Sequence, residues 1–300
     1  MSDAAPIPSL HDASRRAAFG LWRGFAAGWS DRAGRLSWLR LGTFALVLAP
    51  GVWLAAALAL DAAGAEPAET ALDVTGFWAV LFLVLSLAIS PARKLFCWSA
   101  LLNVRRMLGV ACAVYVGLHL SAYVVDQNLD LARAASEIIK RFYLAVGLVA
   151  AAGLFALAIT STDRWVRRLG RRWGQLHALS YPIAALALWH YLMQSKLDAS
   201  DATVLSGLCA LLLLARAATA WRGDFTPAMA FGLAVLALPL VMVFEAFWYE
   251  VATSVPGERV WAANFYWTGA PRPAVMVAGL AALIAAAAAV RRWGRRGRLL

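Results

Sequence analysis

Apolar residues run along this chain in long blocks, with the polar residues gathered between them. Eight blocks, at about 41–60, 74–91, 106–125, 142–160, 174–194, 203–221, 228–248 and 273–290, each approach the roughly 20 residues that cross a hydrocarbon core as a helix. None alternates apolar and polar positions over about ten residues, as a barrel strand would. The pattern predicts an all-α, polytopic membrane helix bundle of about eight transmembrane helices, each satisfying its own backbone in lipid. It divides the chain into a basic N-terminal segment over 1–40, six spans over 41–221, and two further spans with a basic tail over 222–300. In the first segment Phe19, Trp22, Phe25 and Trp29 recur near helical spacing among arginines. They read as an interfacial amphipathic helix, with a partly ordered basic tail as the alternative. The residues from Asp126 to Arg141 read as a short amphipathic helix on the outer surface, and 249–272 as an aromatic connection over the outer mouth.

Charge orients the spans. Of the 28 Lys and Arg residues, 22 fall on one side of the alternating connections: before the first span, after the second, fourth and sixth, and in the tail. The other side holds six, Arg133, Lys140, Arg141, Lys196, Arg259 and Arg272, with 12 of the 17 acids. Excess Lys and Arg mark cytoplasmic connections, so both termini are expected in the cytoplasm. The N-terminus lacks an early apolar h-region and is not expected to be a cleaved signal.

Composition narrows the function. The chain is 62% hydrophobic and 15% charged, against about 45–50% and 25% for soluble domains. An ordinary soluble enzyme is excluded. The net charge of +11 sits at span ends, so it speaks for the bilayer and against nucleic acid. Neither GxGxxG nor GxxxxGK[ST] occurs, so no standard nucleotide fold is expected. Cys97, Cys112 and Cys209 form no CxxC, and the latter two read as small core residues. Glu245, near the outer end of the seventh span, reads as a proton relay or an interface carboxylate.

Of the four histidines, His11 lies in the polar tail, while His119, His177 and His190 lie in predicted spans. Ionisable groups inside a membrane are costly and mark function by default. No carboxylate or thiolate stands ready to complete a zinc site, so haem held by axial imidazoles in a helical bundle is the natural reading. The third and fifth spans run in the same direction. His190 lies 13 residues beyond His177, or about 20 Å along a helix, and His119 sits at the depth of His190. His119 and His190 can therefore clamp one haem near the outer face. His177 is left at inner depth, with Arg105 of the third span at its level. That inner site reads as a five-coordinate haem, a haem with an unusual sixth ligand, or a flavin or quinone pocket. An arginine there can pair with a propionate. On an ideal helix His177 and His190 point about 140° apart, and a kink at Pro182 is expected to reconcile them. Gly109 and Gly117 read as room for a porphyrin or as plain helix-packing glycines, and Tyr115, Ser121 and Trp189 are candidates for shaping its pocket.

The stretches SPARKL at 90–95, RRMLGVACAVYVGLHLSAY at 105–123, KRFYLAVG at 140–147, LAITSTDRWVRRLGRRWGQLH at 157–177 and YPIAALALWHYLMQSKLD at 181–198 carry a resemblance. Together they resemble the MsrQ/YedZ family, the haem-binding membrane subunits of the periplasmic methionine sulfoxide reductase system. That family lies within the ferric-reductase-like transmembrane superfamily. The resemblance implies a six-helix haem-binding core over 41–221, to which this chain adds two C-terminal helices. It implies haem b, one or two, bound by His119, His177 and His190, with Arg105 at the unpaired inner position and FMN or quinone as further cofactor candidates. It implies a subunit of the bacterial inner membrane that takes electrons from quinol or a cytoplasmic flavin reductase. The acceptor would be a periplasmic partner, a molybdenum-containing methionine sulfoxide reductase. The superfamily's oxidases carry a fused flavin and nicotinamide domain, which this chain lacks. The alternatives are a stand-alone reductase of ferric chelates or oxygen, and a non-redox haem sensor or transport component.

Overall fold

A computed structural model describes residues 36–195, 198–266 and 269–296, the side chain of Arg296 excepted. The predicted amphipathic helix of 1–40 and His11 fall outside the described residues. The chain divides into two compact units, Met1–Ala49 and Pro50–Leu300. The first contributes the opening half of helix α1 (Trp38–Ala59), and everything below concerns the second.

Every regular element among the described residues of this unit is helical. After α1 come α2 (Pro67–Leu95), α3 (Leu102–Asp126), α4 (Leu131–Lys140), α5 (Phe142–Ile159), α6 (Asp163–Leu169), α7 (Arg171–Ala178), α8 (Ser180–Gln194), α9 (Ser200–Arg222), α10 (Pro227–Ala252), α11 (Gly257–Ala263) and α12 (Pro273–Arg296). Seven of these helices, α1, α2, α3, α5, α9, α10 and α12, are long and apolar enough to cross a membrane.

The fifth predicted span departs from a single helix. It is two helices, the eight residues of α7 and the fifteen of α8. Pro182 supplies the physical reason. It has no N–H for the carbonyl of Ala178, four residues back. The ladder gives way just there, with Leu179 bonding back to Leu176 in a tighter turn. The break frees the direction of α7, which carries His177, from that of α8, which carries His190.

Local sequence sets the other boundaries. Pro67 opens α2 at a position where its missing N–H costs nothing. Asn128 and Leu129 adopt positive φ of 57° and 62° and turn the chain sharply out of α3. Asp130 then caps α4 by accepting from the Arg133 N–H at 2.9 Å. Gly223, at φ +76°, ends α9 in the left-handed conformation that glycine tolerates best.

Two helix pairs build the part that matters for function. α2 packs along α3, α5 packs along α8, and α3 also touches α5, joining the pairs. α9 packs on α2 and α8 and, on another side, on α10 and α12. The C-terminal helix is tied to this body by its arginines. Arg292 donates to the carbonyls of Leu95 (2.9 Å), Lys94 (2.8 Å) and Phe225 (2.9 Å). Arg291 donates to Phe96 and Arg295 to Cys97. The last carbonyls of a helix have no partner within it and carry partial negative charge, so guanidinium groups suit that end of α2.

Candidate functional site

His119 projects from α3 toward α2, where its Nδ1 lies 3.0 Å from the carbonyl oxygen of Leu72. One turn further along α2 is Gly76. A Cβ on Gly76 would stand 3.1 Å from the His119 ring. The other helix pair repeats the device. His190 projects from α8 toward α5, its Nδ1 lies 2.8 Å from the carbonyl oxygen of Tyr143, and a Cβ on Gly147 would stand 2.8 Å from its ring. In each pair the glycine comes four residues after the accepting carbonyl, so the imidazole rests on bare backbone.

A carbonyl oxygen only accepts, so each Nδ1 carries the proton and each Nε2 keeps its lone pair. A metal-ligating histidine is held in this way, its second ring nitrogen donating to a fixed acceptor. The two rings line one cavity of about 890 Å³, with centroids 6.4 Å apart and planes at 83°. Its walls include Phe77, Val80, Leu83, Val116, Ala151 and Leu154, and its mouth is charged, with Glu69, Asp73, Asp126, Arg133, Glu137 and Arg141. Arg141 donates to Glu137 at 2.6 Å and to the Tyr143 hydroxyl at 3.0 Å, fastening α4 to the start of α5.

The donor set indicates what such a cavity accepts. An imidazole nitrogen binds a metal at about 2.0 Å and the ring centroid lies about 1.1 Å beyond, so two imidazoles facing each other across one ion place their centroids about 6 Å apart, against about 5 Å at a tetrahedral angle. The observed 6.4 Å fits. Among the described residues no group of three His, Cys, Asp or Glu side chains converges to hold a bare ion. Two imidazoles in an apolar cavity of this size therefore suit an iron that brings its own equatorial nitrogens, as haem does.

His177 is elsewhere. It lies on α7, stacked on Trp173 with centroids 3.9 Å apart. Its Nδ1 is 3.2 Å from the Trp173 carbonyl oxygen, and its Nε2 is 3.2 Å from Ser161 Oγ. Trp173 Nε1 donates to the Thr160 carbonyl at 2.9 Å, so the Thr160–Thr162 turn anchors α7. Arg105 and Arg106 lie within electrostatic reach of His177, and Arg106 pairs with Asp163 at 2.5 Å. His177 and Arg105 do not line the cavity of His119 and His190.

Several smaller expectations are corrected. Gly109 faces Ser86 and Gly117 faces Phe155. These are helix-packing glycines, and neither lines the cavity. Tyr115, Ser121 and Trp189 also lie outside its lining. Tyr115 packs edge-on against Phe82, and Trp189 packs against Phe142. Cys112 is a buried core residue, as its sequence suggests, and it also lines the cavity. Glu245 is buried at 1% exposure and bonds Arg272 at 2.9 Å and Asn264 at 3.4 Å. It belongs to the α10–α12 side of the molecule and does not line the cavity. Sequence reasoning missed Gly76 and Gly147, which glycine counting alone does not single out because glycine is common in membrane helices. The available signal was their place on the helices facing the two histidines.

Comparison with known proteins gives the family. Residues 75–188 match the family model described as ferric reductase like transmembrane component, a stretch that holds Gly76, His119, Gly147 and His177 and stops two residues before His190. The chain is 41% identical over 194 residues to the protein-methionine-sulfoxide reductase heme-binding subunit MsrQ of Rhodospirillum rubrum, covering 64% of this chain and 91% of that one. It is 43% identical over 157 residues to the MsrQ subunit of Xanthomonas euvesicatoria pv. vesicatoria, covering 51% and 71%. Over 154 residues it is 43% identical to that of Xanthomonas campestris pv. campestris, with the same coverage. No solved structure matches the chain.

Proposed function

We propose a function from one premise: the chain belongs to the MsrQ family of protein-methionine-sulfoxide reductase haem-binding subunits. It is a multi-pass membrane protein, and haem is its cofactor. On our reading it conducts electrons across the bacterial inner membrane to a methionine sulfoxide reductase on the periplasmic side, with both termini in the cytoplasm. The observation that carries the reading is the paired imidazoles, 6.4 Å apart, each with Nδ1 on a helix carbonyl.

In this reading His119 of α3 and His190 of α8 would hold the haem iron through their Nε2 atoms. Leu72 and Tyr143 hold the tautomer, while Gly76 and Gly147 give the rings room. When bound, the haem supplies one-electron chemistry at iron. The apolar walls exclude water from that centre, and two fixed neutral imidazoles suit both oxidation states with little rearrangement. The charged mouth offers the acceptor a hydrophilic landing surface.

His177 and Arg105 form the inner element of the path. They would hold a second haem, an FMN or a quinone there, which would supply the entry point for electrons from quinol or a cytoplasmic flavin reductase. The experiment is a reduced-minus-oxidised spectrum of the purified protein with haem quantitation. A low-spin b-type spectrum that responds to a quinol or to a flavin reductase supports the reading. A protein that binds haem and never cycles under either donor contradicts it.

A further inference from the structure

In the charge pattern Arg216 counts among the basic residues that follow the sixth span. The structure puts it inside α9, six residues before the helix ends, turned into the protein. One Nη2–H donates to the carbonyl of Leu87 on α2 at 2.7 Å, and the guanidinium lies 4.9 Å from the centre of the Tyr181 ring on α8. Its Nε is buried with no partner, and so is the hydroxyl of Ser180, beside Tyr181. Arg105, at the start of α3, lies within electrostatic reach of Arg216. The Arg105 carbonyl in turn accepts from Ser86 of α2 at 3.4 Å. Among the described residues neither arginine has an acidic partner.

A simple staple between α9 and α2 accounts for one of the five N–H donors of Arg216. It leaves a second guanidinium within electrostatic reach and, among the described residues, no carboxylate in ion-pair contact with either. Cations in apolar surroundings are stable only when paired, and an arginine inside a membrane bundle marks function by default. A guanidinium fork is also shaped for the two oxygens of a carboxylate or phosphate.

We propose that Arg216 and Arg105, with the Ser180 hydroxyl, form an oxyanion site among α2, α3, α8 and α9 that takes a phosphate or carboxylate group. Two sources present that chemistry: the phosphodiester of an anionic lipid, and an acidic substituent of a cofactor bound on the His177 side. The site is separate from the His119–His190 cavity and does not rest on the axial assignment there.

The test uses the full chain purified in detergent, titrated with phosphatidylglycerol or phosphatidylcholine and read by native mass spectrometry, with acid-extracted haem and flavin counted in parallel. If lipid is the source, the wild type retains one phosphatidylglycerol at least tenfold more tightly than phosphatidylcholine. Arg216→Gln and Ser180→Ala lose that preference, and Arg216→Lys keeps part of it. If a cofactor is the source, Arg216→Gln lowers the haem or flavin content per protein while the six-coordinate spectrum stays unchanged. Equal lipid preference and equal cofactor content in the wild type, Arg216→Gln and Ser180→Ala would overturn the proposal and leave Arg216 a staple. Should Arg216→Gln fail to fold, Ser180→Ala and Arg105→Gln decide by the same readouts.

Discussion

Gly147 lies directly under the ring of His190, so close that a single added carbon would stand 2.8 Å from the imidazole. The Nδ1 bond to Tyr143 leaves the ring no easy retreat. Gly147→Ala should therefore push the ring off its carbonyl, at a cost of about 1–3 kcal/mol for overpacking. The expected outcome is loss of most six-coordinate haem in the purified variant, read from the Soret band and electron paramagnetic resonance. Gly76→Ala, where the same carbon would stand at 3.1 Å, should be milder and give a shifted spectrum with haem retained.

Much of this arrangement was legible in the sequence. The long apolar blocks gave the helices, because a lipid-facing helix has few polar positions to interrupt it. Counting residues along the third and fifth spans put His119 and His190 at one depth, and their rings do share a cavity. The kink assigned to Pro182 falls a few residues earlier, at Leu179, because a proline disturbs the carbonyl four residues before it. What could not be read was which glycines matter. Gly109 and Gly117 share the helix of His119, yet the rings rest on Gly76 and Gly147 of the facing helices, and facing depends on tertiary packing. Arg216 was misplaced for a similar reason, since charge alone does not say whether an arginine ends a helix or is buried in its last turns.

The Glu245–Arg272 pair gives a prediction of opposite character. Removing one partner of a buried ion pair strands the other and costs about 3–5 kcal/mol. Glu245→Ala should lower the thermal midpoint in detergent markedly. At temperatures where it remains folded its haem spectrum should match the wild type, because Glu245 does not line the cavity.

Arg292 should behave likewise on a smaller scale. It donates to the Leu95 and Lys94 carbonyls at the end of α2 and to the Phe225 carbonyl in the loop before α10. Arg292→Ala is expected to cost about 1–3 kcal/mol, seen as faster hydrogen exchange at residues 94–98 and a lower melting point. Unchanged exchange there would mean that water replaces the guanidinium without loss.

The charge asymmetry of the connections predicts orientation. A reporter active only in the cytoplasm should work when fused after Leu300. One active only in the periplasm should work when inserted at Asn128, in the turn between α3 and α4. The reverse pattern would exchange the inner and outer assignments.

The central claim is that His119 and His190 form one axial pair and His177 belongs to another site. It is tested most directly by haem stoichiometry and spin state in three single variants, His119→Ala, His190→Ala and His177→Ala. The first two should each abolish or convert to high spin the same six-coordinate signal, and His177→Ala should leave that signal intact while slowing reduction from the cytoplasmic side. Loss of the signal in His177→Ala together with its survival in His190→Ala would contradict the account and require the pair to be redrawn as His119 with His177.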